Sequence, residues 1–79
     1  MTTDQAKIVI EAALLVASQP LKLNDLRRLF NEEIGADSIR FILETLRFEW
    51  KDRGLELTSL ASGWRFQTRS VMREYLDRL

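Results

Sequence analysis

The fold is decided by residues 37–67, DSIRFILETLRFEWKDRGLELTSLASGWRFQ, in which the hydrophobic period changes partway. In the first half, large apolar residues recur at the three- and four-residue spacing of one buried helix face: Ile39, Ile42, Leu43, Leu46 and Trp50. After Gly54 the period becomes two, in two runs on either side of residues 61–63, Ala-Ser-Gly. The pattern predicts a helix that ends near Arg53, followed by a β-hairpin.

Two further helices are predicted upstream of this stretch. The first covers residues 3–18 and is followed by Pro20, which disfavours helical geometry in the residue before it. The second covers residues 24–32, with Asn24 as its N-cap. A short last helix is predicted over residues 70–78. Three core helices followed by a hairpin wing predict a winged helix-turn-helix domain of the α+β class, mainly helical, formed by the whole chain.

The composition excludes several kinds of chemistry. The 79 residues include no cysteine and no histidine, which rules out disulfides, thiol nucleophiles, Cys/His zinc sites and Ser-His-Asp arrangements. There is no glycine-rich phosphate loop, and the adjacent Glu32 and Glu33 would point in different directions on a helix. We therefore expect a protein that is not an enzyme and has no metal or cofactor.

Charge and hydropathy limit the partners and the location. Twelve basic and twelve acidic residues give a formal net charge of zero, whereas a dedicated nucleic-acid binder usually has a basic excess. No run of apolar residues approaches the roughly 18 residues of a membrane span, and the N-terminus does not resemble a signal peptide. The expected location is the cytoplasm.

The third helix carries unusual residues opposite its core stripe. Phe41 and Phe48 lie there one heptad apart, together with Glu44 and Asp52. A helix that enters the major groove presents basic or amide side chains to the bases, and carboxylates would repel phosphate. The pattern therefore favours a protein-binding ridge. The alternative is that the last helix or the N-terminus covers both rings within the same monomer.

The first helix is apolar on nearly all sides. Its main stripe is expected to face the core: Ile8, Ala12, Leu15 and Val16. Ile10, Leu14 and Ala17 form a second apolar side, and so small a domain can hardly bury both sides alone. We therefore expect a symmetric homodimer, although a central helix wrapped by the other elements is the alternative. The predicted interface comprises Ile10, Leu14, Ala17, Phe41 and Phe48.

The wing and the tail hold the main candidate contacts to phosphate. Arg65, Arg69 and Arg73 recur there, but acidic residues lie between them, and mixed charge usually serves solvation. Direct DNA binding is expected to be weak or absent. The alternative function is a winged-helix transcriptional regulator, whose DNA binding would depend on Arg40, Arg47 or Arg65.

Three stretches resemble one family in order and spacing. Residues 14–21, LLVASQPL, resemble the LLFVAGEPL element that ends the first helix in ScpB, a bacterial segregation and condensation protein. Residues 53–57, RGLEL, and 63–69, GWRFQTR, resemble its RGIEL and GYRFQT elements at the wing. The sequence departs from the family at Lys22, where many members have a helix-capping serine or threonine.

The resemblance implies a function and partners. ScpB proteins are tandem winged-helix proteins that form homodimers through their N-terminal domains and have no known catalytic activity. They bind the kleisin ScpA, which bridges the heads of an SMC ATPase, and the complex condenses and segregates the chromosome. By this resemblance, residues 1–79 are the N-terminal half of a two-domain, nucleoid-associated protein.

Overall fold

The predicted order of helices and strands is confirmed by the computed structural model, which describes residues 1–79. The elements are α1 (Thr3–Val16), α2 (Leu23–Arg28), α3 (Ala36–Glu49), β1 (Leu55–Leu60), β2 (Gly63–Thr68), a 3-10 turn (Ser70–Met72) and α4 (Arg73–Leu76). The helices end two to four residues before their predicted ends. The local pattern correctly identifies each helix, but the packing of the following chain determines where it stops.

The two ends of α1 have different causes. At the N-terminus a capping box forms, since Gln5 N–H donates to Thr2 Oγ1 and Thr2 N–H donates to Gln5 Oε1. The chain becomes extended at Ala17, the C-cap. Beyond Pro20, Leu21 pairs with Trp64 of β2 through two backbone hydrogen bonds of 2.7 and 2.8 Å, which join this segment to the wing.

The limits of α2 differ from those predicted. Lys22 rather than Asn24 is the N-cap, and its N–H donates to the carboxylate of Asp25 at 2.9 Å. The helix stops at Arg28, before Asn31 and Glu32, which both adopt left-handed backbone conformations. Asp25 thus supplies the N3 half of a capping box, and no side chain at the N-cap accepts from the first turn.

One hydrophobic core joins the helices to the wing. The predicted stripe of α3 is confirmed, with four of its five residues buried and Trp50 half-buried. The Trp50 ring packs on Phe66 of β2, with centroids 4.6 Å apart. The core consists of Ala6, Ile10, Leu14, Leu26, Phe30, Ile39, Ile42, Leu43, Leu46 and Leu57.

The predicted orientation of α1 is wrong. Ile10 and Leu14 are buried in the core, whereas Ile8 and Leu15 of the expected core stripe are exposed. Both sides of the helix are apolar, so periodicity alone could not choose between them. In this rotation Lys7 and Glu11 also meet partners on α3, although partly exposed polar pairs contribute less than the burial of Ile10 and Leu14.

Candidate protein-binding surface

The two phenylalanines of α3 lie on the outside of the molecule. Phe41 is 67% exposed and Phe48 is 65% exposed, although both belong to a well-packed helix. The prediction that they remain outside the core is confirmed, and neither α4 nor the N-terminus buries them. A hydrophobic ridge on an otherwise polar helix face is typical of a protein contact.

A second ridge runs along α1. Ile8, Ala12 and Leu15 are exposed and follow one another at the four- and three-residue spacing of one helix face. Val16, the last residue of α1, is also exposed. None of these four was predicted to be an interface residue, because α1 was predicted in the opposite rotation.

The predicted contact residues of α1 must be corrected. Ile10 is 0% exposed and Leu14 is 3% exposed, so neither side chain can meet a partner without unfolding the core. Ala17 is half-buried at the C-cap of α1. The apolar surface of α1 therefore lies on the side opposite to the predicted one.

Polar contacts between α1 and α3 place the two ridges on one surface. Lys7 Nζ donates to Glu49 Oε2 at 2.6 Å, and Trp50 Nε1 donates to Glu11 Oε2 at 3.1 Å. The hydrogen bond to the Glu49 carboxylate raises the pKa of Lys7 above its ordinary value. With this seam fixed, both ridges face away from the core. We call Ile8, Ala12, Leu15, Val16, Phe41 and Phe48 the α1/α3 surface.

The area of this surface can be compared with what an interface needs. A covered phenylalanine buries roughly 150–250 Å², so two rings that are two-thirds exposed offer roughly 260 Å². Each partner in a standard interface contributes about 800 Å². The phenylalanines alone are therefore too small, and the α1 ridge with the polar residues between the ridges must take part.

The predicted phosphate contacts are not equivalent in the structure. Arg69 is committed to α3, since its Nε donates to the carbonyl of Arg53 at 2.7 Å and its Nη2 to that of Trp50 at 2.8 Å. These bonds occupy Nε and Nη2, and the assignment of Arg69 as a phosphate contact stays a prediction. Arg65 and Arg73 are exposed and form no ion pair.

No group of three or more acidic side chains is arranged to hold a metal ion. None of the helices combines the length and the hydropathy needed to cross a membrane. The largest cavity, of about 500 Å³, lies between the start of α1 and the start of α3, and Phe41 forms part of its wall. It therefore adjoins the α1/α3 surface.

Comparison with known proteins identifies the family. The sequence model of the segregation and condensation complex subunit ScpB matches residues 8–79, nearly the whole chain. The chain belongs to the ScpB family. A ScpB homologue from Coxiella burnetii is 40% identical over an 81-residue alignment, and ScpB from Desulforamulus reducens is 36% identical over 78 residues. These alignments cover 100% and 96% of the chain.

Solved ScpB structures share the fold. The crystal structure of ScpB from Mycobacterium tuberculosis matches with a TM-score of 0.88 and 28% identity over 99% of the chain. A dimer of a ScpB N-terminal domain complexed with a ScpA peptide matches with a TM-score of 0.86 and 23% identity. The predicted winged-helix fold is confirmed.

The chain covers different shares of the length of these proteins. The chain spans 39% and 42% of the two curated relatives and 49% of the M. tuberculosis protein. It spans 93% of the N-terminal domain found with the ScpA peptide. The comparisons lend no support to the alternative of a DNA-binding transcriptional regulator.

Proposed function

We propose that residues 1–79 act as the N-terminal, dimerising domain of a ScpB-type subunit, in chromosome condensation and segregation. In this role the domain is not an enzyme, and its work consists of contacts with a second copy, with the kleisin ScpA and, through ScpA, with SMC. The observation that carries the proposal is the exposed α1/α3 surface on a member of the ScpB family.

Dimerisation fits the character of this surface. Its apolar residues are large and project from two rigid helices, so little conformational entropy is lost when a partner covers them. A two-fold axis through such a surface would bring the ridges of one molecule against those of a second copy. The same apolar residues would then lie on both sides of the interface. A likeness to a ScpB N-terminal domain that forms a dimer with a ScpA peptide supports the same arrangement.

The location follows from the proposed role. A subunit that works on the bacterial chromosome acts in the cytoplasm, at the nucleoid. Arg65 and Arg73 are the remaining exposed candidates for phosphate contact on the wing and tail, and two isolated arginines provide little affinity for DNA. We expect contact with DNA to come from the partners of this domain.

Sedimentation velocity of the domain tests the proposal. We expect the wild type to form dimers that dissociate on dilution, and Phe48→Asp to be monomeric at concentrations where the wild type is dimeric. The substitution places a carboxylate in the centre of the apolar surface, where burying its charge is unfavourable. Since Phe48 is exposed, circular dichroism should show an unchanged fold.

Val71→Asp is the matched control. Val71 is as exposed as Phe48, at 65%, but lies in the 3-10 turn that precedes α4. This variant should dimerise like the wild type. A wild type that stays monomeric at high micromolar concentration, or a loss of dimers in Val71→Asp alone, would contradict the proposal.

A further inference from the structure

The outer strand of the wing has an unoccupied hydrogen-bonding edge. β2 is central, since it pairs with β1 on one side and Trp64 bonds to Leu21 on the other. β1 pairs only with β2, over the register from Leu55↔Thr68 to Leu60↔Gly63. The opposite side of β1 therefore has no neighbouring strand.

The backbone groups on this edge can be identified from the register. Trp64 uses both its N–H and its C=O to bond Leu21, so the pair Ser59↔Trp64 is not joined by hydrogen bonds. Bonded and non-bonded pairs alternate along an antiparallel ladder. Leu55, Leu57 and Ser59 therefore direct their N–H and C=O groups away from β2. No side chain or other backbone group bonds to them.

A basic groove runs along this edge. Its volume is about 330 Å³, and the consecutive β1 residues 56–59 form its base. Arg47 and Lys51, one turn apart on α3, form the facing wall, and Arg69 lies at one end. Arg47 stacks over the Trp64 ring at 4.9 Å, on the wing side of α3. Lys51 Nζ lies 4.1 Å from the centroid of the Phe48 ring, so the groove borders the α1/α3 surface on this side of α3.

β1 lacks the usual protection of an edge strand. Natural edges are commonly blocked by lysine, proline or a bulge, or are covered by another element. The sequence of β1, LELTSL, has neither lysine nor proline, and its pairing with β2 is regular along all six residues. An edge of this kind accepts an added strand from a partner.

The charges of the groove indicate which strand it accepts. Three basic side chains border it: Arg47, Lys51 and Arg69. Arg47 Nη1 lies 3.3 Å from Glu44 and Arg69 Nη1 lies 3.7 Å from Glu56, so Lys51 is the cation of the groove that has no acidic partner. A second copy of β1 would bring the Arg47 and Lys51 of two molecules together, and like charges would oppose that pairing. An extended acidic peptide supplies both the missing backbone partners and the opposite charge.

We infer that the groove between α3 and β1 binds an acidic, extended segment of a partner protein, which adds to β1 as a further strand. Backbone hydrogen bonds to Leu57 and Ser59 hold the segment. Carboxylates at alternate positions reach Arg47 and Lys51. The free edge of β1 is not part of the α1/α3 surface, although Lys51 borders that surface through its contact with Phe48.

A synthetic peptide in which threonine alternates with glutamate is the probe, titrated into the isotope-labelled domain. On binding, the amide hydrogens of Leu57 and Ser59 should gain protection from exchange, while those of Thr58 and Leu60, already bonded to β2, should change little. Fluorescence anisotropy should show that Lys51→Glu and Arg47→Glu each weaken binding about tenfold. Arg78→Glu, the same charge reversal on the exposed tail, should leave it unchanged.

Ser59→Pro removes the outward backbone N–H of residue 59 and leaves every hydrogen bond to β2 in place, so it should also weaken peptide binding. Ser59→Ala keeps that N–H and should not weaken binding. If Ser59→Pro fails to fold, the alternating protection pattern and the charge reversals still decide the outcome. The inference is overturned if the peptide does not bind, or if a peptide with lysine in place of glutamate binds equally well. Protection of Leu57 and Ser59 without peptide, rising with protein concentration, would also overturn it, since the occupant would then be a second copy.

Discussion

Lys7 links α1 to α3 through a single ion pair. Its ammonium group reaches the carboxylate of Glu49 on α3. In the sequence these residues are 42 positions apart, so no local pattern pairs them. The pairing keeps the ammonium group charged, which is why the pKa of Lys7 is raised. Residue-scale contacts of this kind could not be predicted from periodicity.

The raised pKa leads to a pH-dependent contribution to stability. Because the pKa of Lys7 is higher in the folded than in the unfolded chain, the stabilisation is fully present below the ordinary lysine pKa of about 10.4. It is lost as the pH rises through the folded-state value. In thermal melts, Lys7→Met should therefore lower the midpoint by a constant amount from neutral pH to about pH 10, and the difference should shrink above that.

Lys22→Met serves as the control, since Lys22 is exposed and forms no ion pair. Its difference from the wild type should not vary over the same pH range. A Lys7→Met difference that is absent at neutral pH, or that persists unchanged in strong alkali, would show that the pair with Glu49 does not stabilise the fold.

Among the elements, α3 and the wing could be predicted and the rotation of α1 could not. The stripe of α3 is a single apolar face, and the alternation around Gly63 has only one inward side, so burial follows from the pattern. On α1 both sides are apolar, and the side of Ile10 and Leu14 packs into the core. The contacts of Arg69 could not be predicted for a related reason: the carbonyl groups that it binds become accessible only where α3 ends.

Paired substitutions on α1 test its orientation. Ile10→Ala should lower the free energy of unfolding by about 2–5 kcal/mol, because it leaves a cavity in the core. Ile8→Ala, two residues earlier on the exposed side, should change it by less than about 0.5 kcal/mol. Urea denaturation at a concentration where the domain is monomeric gives both values. If Ile8→Ala lowered the free energy of unfolding more than Ile10→Ala, the orientation of α1 expected from the sequence would be correct and that of the structure wrong.

At the scale of the whole molecule, the winged-helix scaffold has an outer face of α3 that is partly apolar. Phe41 and Phe48 stand on the outer face of α3, and the neighbouring α1 ridge extends their apolar surface. The fold and the two exposed rings could be predicted from the sequence, because α3 has a clear periodicity. The α1 half of the surface, like the groove along β1, depends on tertiary packing and required the structure.

The covering of the α1/α3 surface by a second copy can be measured directly on the phenylalanines. The chain has four, of which Phe30 is buried and Phe66 is half-buried, so both act as internal references within one sample. With 4-fluorophenylalanine incorporated, the change in fluorine shift between H₂O and D₂O reports the solvent exposure of each ring. We predict a large solvent effect at Phe41 and Phe48 in dilute solution, which falls as the concentration rises while Phe30 and Phe66 stay constant. Solvent effects at Phe41 and Phe48 that remain large at every concentration, or that are small even at the greatest dilution, would contradict the account.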